Sequence, residues 1–380
     1  MNEVRTPSPD SHPMHDRARS GDVLVEQADP GLAGAVQGRT PHGQPTMTAA
    51  QPLHAERLSP EAWLQQAAST TPPLGGLGWG CVGGPALASL HTPVLCAQGP
   101  WVDAWRSASK ALRAGRSGVV HWQEDGHWAF GQLEVAEADI DLAETARRAY
   151  RDVFAALQDC GQPHLLRLWN YLPRINADGG GLERYRQFNI GRQQAFIDAG
   201  RDAFESAPAA CALGTTGAQS GGLAIRFLAG RVPPRPVENP RQVSAYRYST
   251  AHGPRAPTFS RAALADAGGG RVVLFISGTA SIVGEQSLHP GDVIAQTEET
   301  LRNLQAVLHA AMARCSARFT LADLQSTVYL RHAADAPAVL ALLSKAVPLA
   351  PAPRCVQADI CRAELLVEIE AHAFAPGTLG

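Results

Sequence analysis

Near the end of this 380-residue chain, the run Asp359, Ile360, Cys361, Arg362, Ala363, Glu364, Leu365, Leu366, Val367, Glu368, Ile369, Glu370 gathers residue types that can do acid–base chemistry. From Leu365 to Ile369 the types alternate as a β-strand requires, so Glu368 leaves one face while Val367 and Ile369 enter an apolar layer. A carboxyl is thereby fixed on rigid backbone. The plainer alternative is a strand face whose glutamates point at water. Glu370 shares the face of Glu368 one repeat further on, and Glu364 falls in the turn before the strand. Covalent catalysis has weaker support, because Ser277, Ser281 and Cys361 lack a motif pairing them with His289 or His372.

Metal chemistry is not indicated by spacing. The seven cysteines (Cys81, Cys96, Cys160, Cys211, Cys315, Cys355, Cys361) are odd in number and contain no C-x-x-C pair. Reduced thiols in a cytoplasm suit them better than a disulfide framework or a zinc site. His12, His15 and His42 are scattered without a ligand pattern. A net charge of -2 with 18% charged residues gives no footprint for a nucleic acid or an anionic membrane, so neither is expected as a partner. The N-terminus lacks the basic and apolar regions of a signal peptide, and no run of about 18 apolar residues is present. The expected location is the cytoplasm.

Positioning elements can be read from composition and periodicity. Residues 1–54, rich in Pro, Gly, His, Asp and Arg, read as a disordered extension. All seven tryptophans lie between Trp63 and Trp169, whereas the long periodic segments come later, which suggests two units, 55–215 and 216–380. In the first, Trp101–Leu112 is expected as a short helix, Gly118–Trp122 and Trp128–Val135 as strands around a turn, and Ile140–Cys160 as a helix. In the second, Arg271–Ser277 reads as a buried strand ending in Gly278-Thr279-Ala280-Ser281, whose small residues permit close approach of a ligand or another backbone. A helix over Val293–Cys315, a strand over Thr327–Arg331 and a helix over Pro337–Lys345 follow. Cys355–Cys361 and Leu365–His372 are expected to close the sheet as a hairpin. The fold class is α+β, or mixed α/β, with helices on one sheet face.

The block Leu274-Phe275-Ile276-Ser277-Gly278-Thr279-Ala280-Ser281-Ile282-Val283-Gly284, with Pro290-Gly291-Asp292, Gln296-Thr297, Glu299-Thr300-Leu301-Arg302-Asn303-Leu304 and the closing Val367-Glu368-Ile369-Glu370-Ala371, resembles the YjgF/RidA fold. More narrowly, Leu168-Trp169-Asn170-Tyr171-Leu172-Pro173-Arg174-Ile175-Asn176, Glu183–Arg192, Gly253–Pro257 and Phe259–Ala262 resemble the chorismatases. The resemblance spans residues 160 to 375. It implies a YjgF-like C-terminal domain, a diverged related N-terminal domain, chorismate as substrate, pyruvate as a product, and no metal or organic cofactor.

That chemistry protonates the methylene carbon of an enol ether, so a carboxylic acid must be held neutral; Glu368 stands at the family's catalytic position. The two carboxylates of chorismate call for guanidinium groups, for which Arg186, Arg192, Arg331 and Arg354 are candidates, each with a surface salt bridge as its alternative. Tyr185 serves either as a hydrogen-bond donor to substrate or as a core residue. Gly278, with Thr279 beside it, and Cys361 match the hydroxybenzoate-forming subclass, which releases 3-hydroxybenzoate and in some members 4-hydroxybenzoate; a buried cysteine acting as a small hydrophobe is the alternative for Cys361. Other readings are a hydrolase giving a dihydroxycyclohexadiene carboxylate, a RidA-like enamine or imine deaminase, and a non-catalytic binding protein. The product would feed pigment, quinone or other secondary metabolism, and both a monomer and a homo-trimer are compatible with the resemblance.

Overall fold

The computed structural model describes residues 52–80, 86–90, 92–107, 109, 111–136, 141–215, 221–348 and 351–380. The expected disordered extension lies outside these residues, apart from its last three positions. Local signals account for the main helices. Asp141 accepts from the Glu144 amide at 2.7 Å to cap α2 (Leu142–Cys160), and Gly161 ends it in the left-handed region at φ 73°. The buried stripe includes Ala146, Tyr150, Val153 and Leu157, at the spacing read from sequence. The Asp292 carboxylate accepts from the Ile294 and Ala295 amides to start α4 (Val293–Met312).

Three sheets carry these helices. The first joins β1 (His54–Leu58), β2 (Gly75–Trp79), β3 (Leu87–Leu90) and β4 (Trp101–Arg106) in the order β1-β4-β2-β3, with α1 (Pro60–Ala67) beside it. The expected helix at Trp101–Leu112 is therefore β4 in its first half. Trp101 through Trp105 are buried on both strand faces, which removes the polar alternation that would have marked a strand.

The second sheet contains β5 (Arg113–Ser117), β6 (Val120–Glu124), β7 (Trp128–Ala136), β8 (His164–Pro173), β9 (Ala209–Thr215) and β10 (Gly222–Gly230), in the order β5-β6-β7-β10-β8-β9. Between β8 and β9 runs α3 (Arg184–Asp198), which packs closely on α2: a Cβ on Gly191 would stand 1.9 Å from the Ala143 carbonyl oxygen. The third sheet contains β11 (Arg235–Val237), β12 (Ala262–Gly268), β13 (Arg271–Thr279), β16 (Gln325–Leu330), β17 (Arg354–Gln357) and β18 (Val367–Pro376), with a short hairpin of β14 (Ile282–Val283) and β15 (Gln286–Ser287) outside it. Its order is β11-β12-β13-β18-β16-β17, covered by α4 and α5 (Ala336–Ala346).

The two six-stranded sheets repeat one plan. Each has a three-strand meander, a helix, a strand, a helix and a parallel edge strand, and each inserts its last strand, antiparallel to both neighbours, into the middle. This places the N-terminal half as a diverged relative of the C-terminal half. It also corrects two expectations. The boundary at 215/216 cuts off β10, which the second sheet needs, so the division falls between Gly230 and Arg235. The expected hairpin of Cys355–Cys361 with Leu365–His372 does not form, because β17 pairs with β16 in parallel while β18 lies between β13 and β16.

The described residues all fall within one unit, Ala49–Gly380, and the sheets meet at an aromatic and polar centre. Trp79 of the first sheet contacts Tyr171 of the second and Tyr329 of the third edge-on, at centroid distances of 5.9 and 5.8 Å. The two phenol oxygens are 3.3 Å apart. Trp79 and Trp101 both donate to Asp103 Oδ2, and Arg57 holds Oδ1 at 2.8 Å. No described helix is long and apolar enough to cross a membrane. Trp79→Ala removes a fully buried ring and one donor to a buried carboxylate, so it should destabilise the protein by about 4 kcal/mol. Urea unfolding against the unmodified chain measures this, and an unchanged midpoint would deny the ring its role.

Candidate active site

The middle position of β18 gives its carboxylates neighbours on both sides. Val367 and Ile369 join the apolar core on the helical face, whereas Glu368 and Glu370 point the other way and are nearly inaccessible to solvent. Glu368 faces a cavity of about 410 Å³, within the range of small-ligand sites. Opposite it lies Gly278 of β13, where a Cβ would stand 1.8 Å from Glu368 Oε1. The glycine is thus required by the carboxyl's own position. Cys361 Sγ is 4.0 Å from Oε2 and is the only hydrogen-bond partner of that carboxyl among the described residues.

This environment disfavours charge on Glu368. Burial first, then the nearby Glu370 charge, pushes its pKa up to about 8, against the opposing pull of Arg167 and Arg261. Near neutrality the group is an acid with a proton to give. Burial and Glu368 push the Cys361 thiol up to about 12, so it is a neutral wall group and a poor nucleophile. Glu370 does not reach the cavity. Its Oε1 accepts from Tyr329 at 2.6 Å and its Oε2 pairs with Arg167.

Both halves of the chain wall the cavity. The turn into α3 brings Asn176, Glu183, Tyr185 and Arg186, with Arg186 tied to Glu183 Oε2 at 3.2 Å. The Tyr185 phenol is raised by burial and by Cys361, which keeps its proton available for donation. The segment between β11 and β12 adds Tyr248, His252, Phe259 and Arg261. Arg261 donates to the Val243 carbonyl at 2.8 Å and the Tyr248 hydroxyl at 2.7 Å while lying over both aromatic rings, Tyr248 and Phe259. Arg362 also lies over the Tyr248 ring and is anchored by the Glu285 carbonyl and Ser287.

Of the residues singled out in the sequence, Glu368, Cys361, Gly278, Tyr185 and Arg186 line the cavity, and the exposed Glu364 lies at its edge. Four do not line it. Arg192 is buried over Phe188 and donates to Asn189, and Thr279 donates to the Ser277 carbonyl. Arg331 is committed to Asp359 at 2.7 Å, Asn176 and the carbonyls of Ile360, Arg362 and Leu365, so it fastens the loop that carries Cys361 and Arg362. Arg354 lies over Trp101. Ser277 and Ser281 are likewise used on backbone groups.

The sequence reading missed Arg261 and Arg362, although both sit in or beside quoted motifs. It also missed Asn303, which donates to the Ala280 and Ile282 carbonyls, and Gln296, which holds the His289 and Glu364 carbonyls and the Leu366 amide. Both stand on the face of α4 that is buried together with Thr297, Glu299 and Thr300, and polar residues recurring on a buried helix face were the available signal.

The raised pKa of Glu368 makes a prediction about stability. Below pH 4.5 the folded and unfolded chains both hold the proton; between 4.5 and about 8 only the folded chain does, so this group's contribution falls as pH rises. Glu368→Gln removes the penalty. Its melting temperature should exceed that of the unmodified protein at pH 9 and converge with it near pH 4, by calorimetry. A constant difference across that range would contradict a neutral Glu368.

Residues 103–229 match the family model described as chorismatase FkbO/Hyg5-like, N-terminal, and residues 256–375 match that of endoribonuclease L-PSP. The first match ends within β10, where the second sheet ends. A 3-hydroxybenzoate synthase from Streptomyces hygroscopicus is 36% identical over 282 residues, covering 71% of this chain and 81% of that protein. A chorismatase from Streptomyces rapamycinicus is 36% identical over 277 residues, with the same coverages. The crystal structure of a chorismatase at 1.08 Å resolution superposes with a TM-score of 0.75 at 28% identity, over 86% of this chain and all of that one. On the extent of these matches through both halves, the chain belongs to the chorismatase family.

Proposed function

We propose that this enzyme converts chorismate to pyruvate and 3-hydroxybenzoate, with Glu368 as the acid. The observation that carries the reading is a buried carboxyl, its pKa pushed up to about 8 by burial and the Glu370 charge, facing a substrate-sized cavity from a fixed strand. Further support comes from three arginines on the cavity wall, Arg186, Arg261 and Arg362, which suit the two carboxylates of chorismate. The 36% identical relative that is named a 3-hydroxybenzoate synthase supports the choice of product.

The steps balance without water. Glu368 gives its proton to the methylene carbon, and positive charge develops on the ether carbon and oxygen. The C4 hydroxyl oxygen attacks C3, the C3–O bond breaks, and its electrons complete the carbonyl of pyruvate. The hydroxyl proton passes to the Glu368 carboxylate, restoring the acid. The remaining arene-oxide-like ring opens at C4, and a ring proton moves to oxygen as the ring aromatises, leaving the hydroxyl on C3. Cys361, neutral and half-buried, would fill the space next to the carboxyl and keep a competing water out. The aromatic walls, Tyr248 and Phe259, suit a flat cyclohexadiene ring.

The cavity takes its walls from both halves of one chain, which supports a monomer. Six free described thiols fit a reducing cytoplasm. Incubation with chorismate should release equimolar pyruvate and 3-hydroxybenzoate, resolved by chromatography with mass detection. Glu368→Gln should slow this by at least about 100-fold while remaining folded. The dihydroxycyclohexadiene carboxylate as sole ring product would refute the intramolecular route, and absence of pyruvate would refute the activity. Gly278→Ala should displace the carboxyl it faces and slow pyruvate release by about tenfold. An unchanged rate and product would show that the carboxyl does not work from this position.

A further inference from the structure

The two carboxyls on the cavity-side face of β18 are about 7 Å apart along the strand, yet their partners differ completely. Glu370 has donors on both oxygens, the Tyr329 hydroxyl on Oε1 and the Arg167 guanidinium on Oε2. Among the described residues Glu368 has the Cys361 thiol alone, at 4.0 Å. Arg167 and Glu370 are both buried, and the pair crosses from the second sheet to the third. An ionised carboxylate accepts on both oxygens, so the arrangement at Glu370 suits the charged form and that at Glu368 the protonated one.

We propose that Glu370 is a positioning residue for the reaction: fixed as a carboxylate by Arg167 and Tyr329, it sets a permanent negative charge beside Glu368 and so keeps the catalytic proton there. The inference rests on the reading of Glu368 as the acid. The described charged and titratable groups near the pair fit this division. Glu368 meets Arg167 from β8, Arg261 at the entry to β12, Tyr185 from α3, Cys211 from β9 and Cys361 from the preceding loop. Of the two arginines, Arg167 is committed to Glu370, and Arg261 to Tyr248 and a carbonyl. Around Glu370 stand Arg167, Tyr329, Tyr171 and Cys211. Further along β18, His372 lies buried near Asp103, Arg57 and Arg167, with its pKa lowered by burial to about 4, and so adds no charge at neutral pH.

The N-terminal repeat thus contributes to the acid step without touching the cavity at Arg167. Such separation of two nearby carboxyls into an ionised and a protonated member is a general means of running acid chemistry near neutrality.

The test compares pH profiles of kcat/KM for pyruvate release. Glu370→Gln should move the alkaline limb at least one pH unit lower, cutting activity about tenfold at alkaline pH, with the deficit shrinking toward about pH 6 and the loss falling on kcat rather than KM. Arg167→Gln/Glu370→Gln removes both charges and should bring the limb back toward that of the unmodified enzyme. A limb that stays in place in Glu370→Gln, or a loss equal at all pH values, would overturn the proposal. So would a double variant with no recovery. Should Glu370→Gln fail to fold, carboxyl ¹³C NMR on glutamate-labelled protein decides the matter with Glu368→Gln alone. A neutral carboxyl present at about pH 7 and absent from Glu368→Gln is expected; a spectrum in which that variant removes no neutral carboxyl would show Glu368 ionised and overturn the idea. Failure of the unmodified enzyme to release pyruvate would instead strike the proposed reaction, and the NMR result would stand apart from it.

Discussion

Burying the Glu368 carboxyl out of contact with the described cations leaves it protonated near neutrality, and the architecture around β18 serves that condition. A central strand excludes water from both flanks. Gly278 supplies a neighbour with no side chain, so the carboxyl can lie directly against β13 backbone. Arg167, the cation that could ionise Glu368, is bound to Glu370. Arg261 is held off by its own hydroxyl and carbonyl acceptors while still presenting to the cavity. The site therefore combines cations suited to anionic substrate groups with an acid that keeps its proton.

The repeated sheet plan explains how such a site is assembled from one chain. Each repeat inserts its last strand into the middle of its sheet, but the loops have diverged. In the C-terminal repeat, Gln296, Asn303 and Arg331 fasten the loops around the carboxyl by binding their backbone carbonyls. In the N-terminal repeat the turn into α3 supplies the facing wall. The smaller sheet contributes the Trp79 and Asp103 centre on which Tyr171 and Tyr329 rest. Since Tyr329 also donates to Glu370, packing at the centre and electrostatics at the site are joined through one side chain.

What could be read from the sequence followed from periodicity. The α2 and α4 stripes, the β13 run and the alternation around Glu368 each had one dominant pattern, and the elements formed within a few residues of their expected ends. Trp101–Arg106 was misread because both of its faces are buried, which erases alternation. The 215/216 boundary and the closing hairpin failed for a topological reason: a last strand that inserts into the sheet centre pairs with distant strands, and no local signal records that. Among the arginines, sequence could supply the residue type but not its acceptors. Arg331 and Arg354 stood among the candidates while Arg261 and Arg362 did not, yet the first two are engaged away from the cavity that the last two line.

The most direct measurement is the pH dependence of kcat/KM for pyruvate release from chorismate by the unmodified enzyme, from about pH 6 to about pH 10. A neutral Glu368 predicts a plateau that falls through a single ionisation near 8, as the proton needed by the methylene carbon is lost. A profile that stays flat through the alkaline range, or rises with pH, would contradict a protonated carboxyl as the acid.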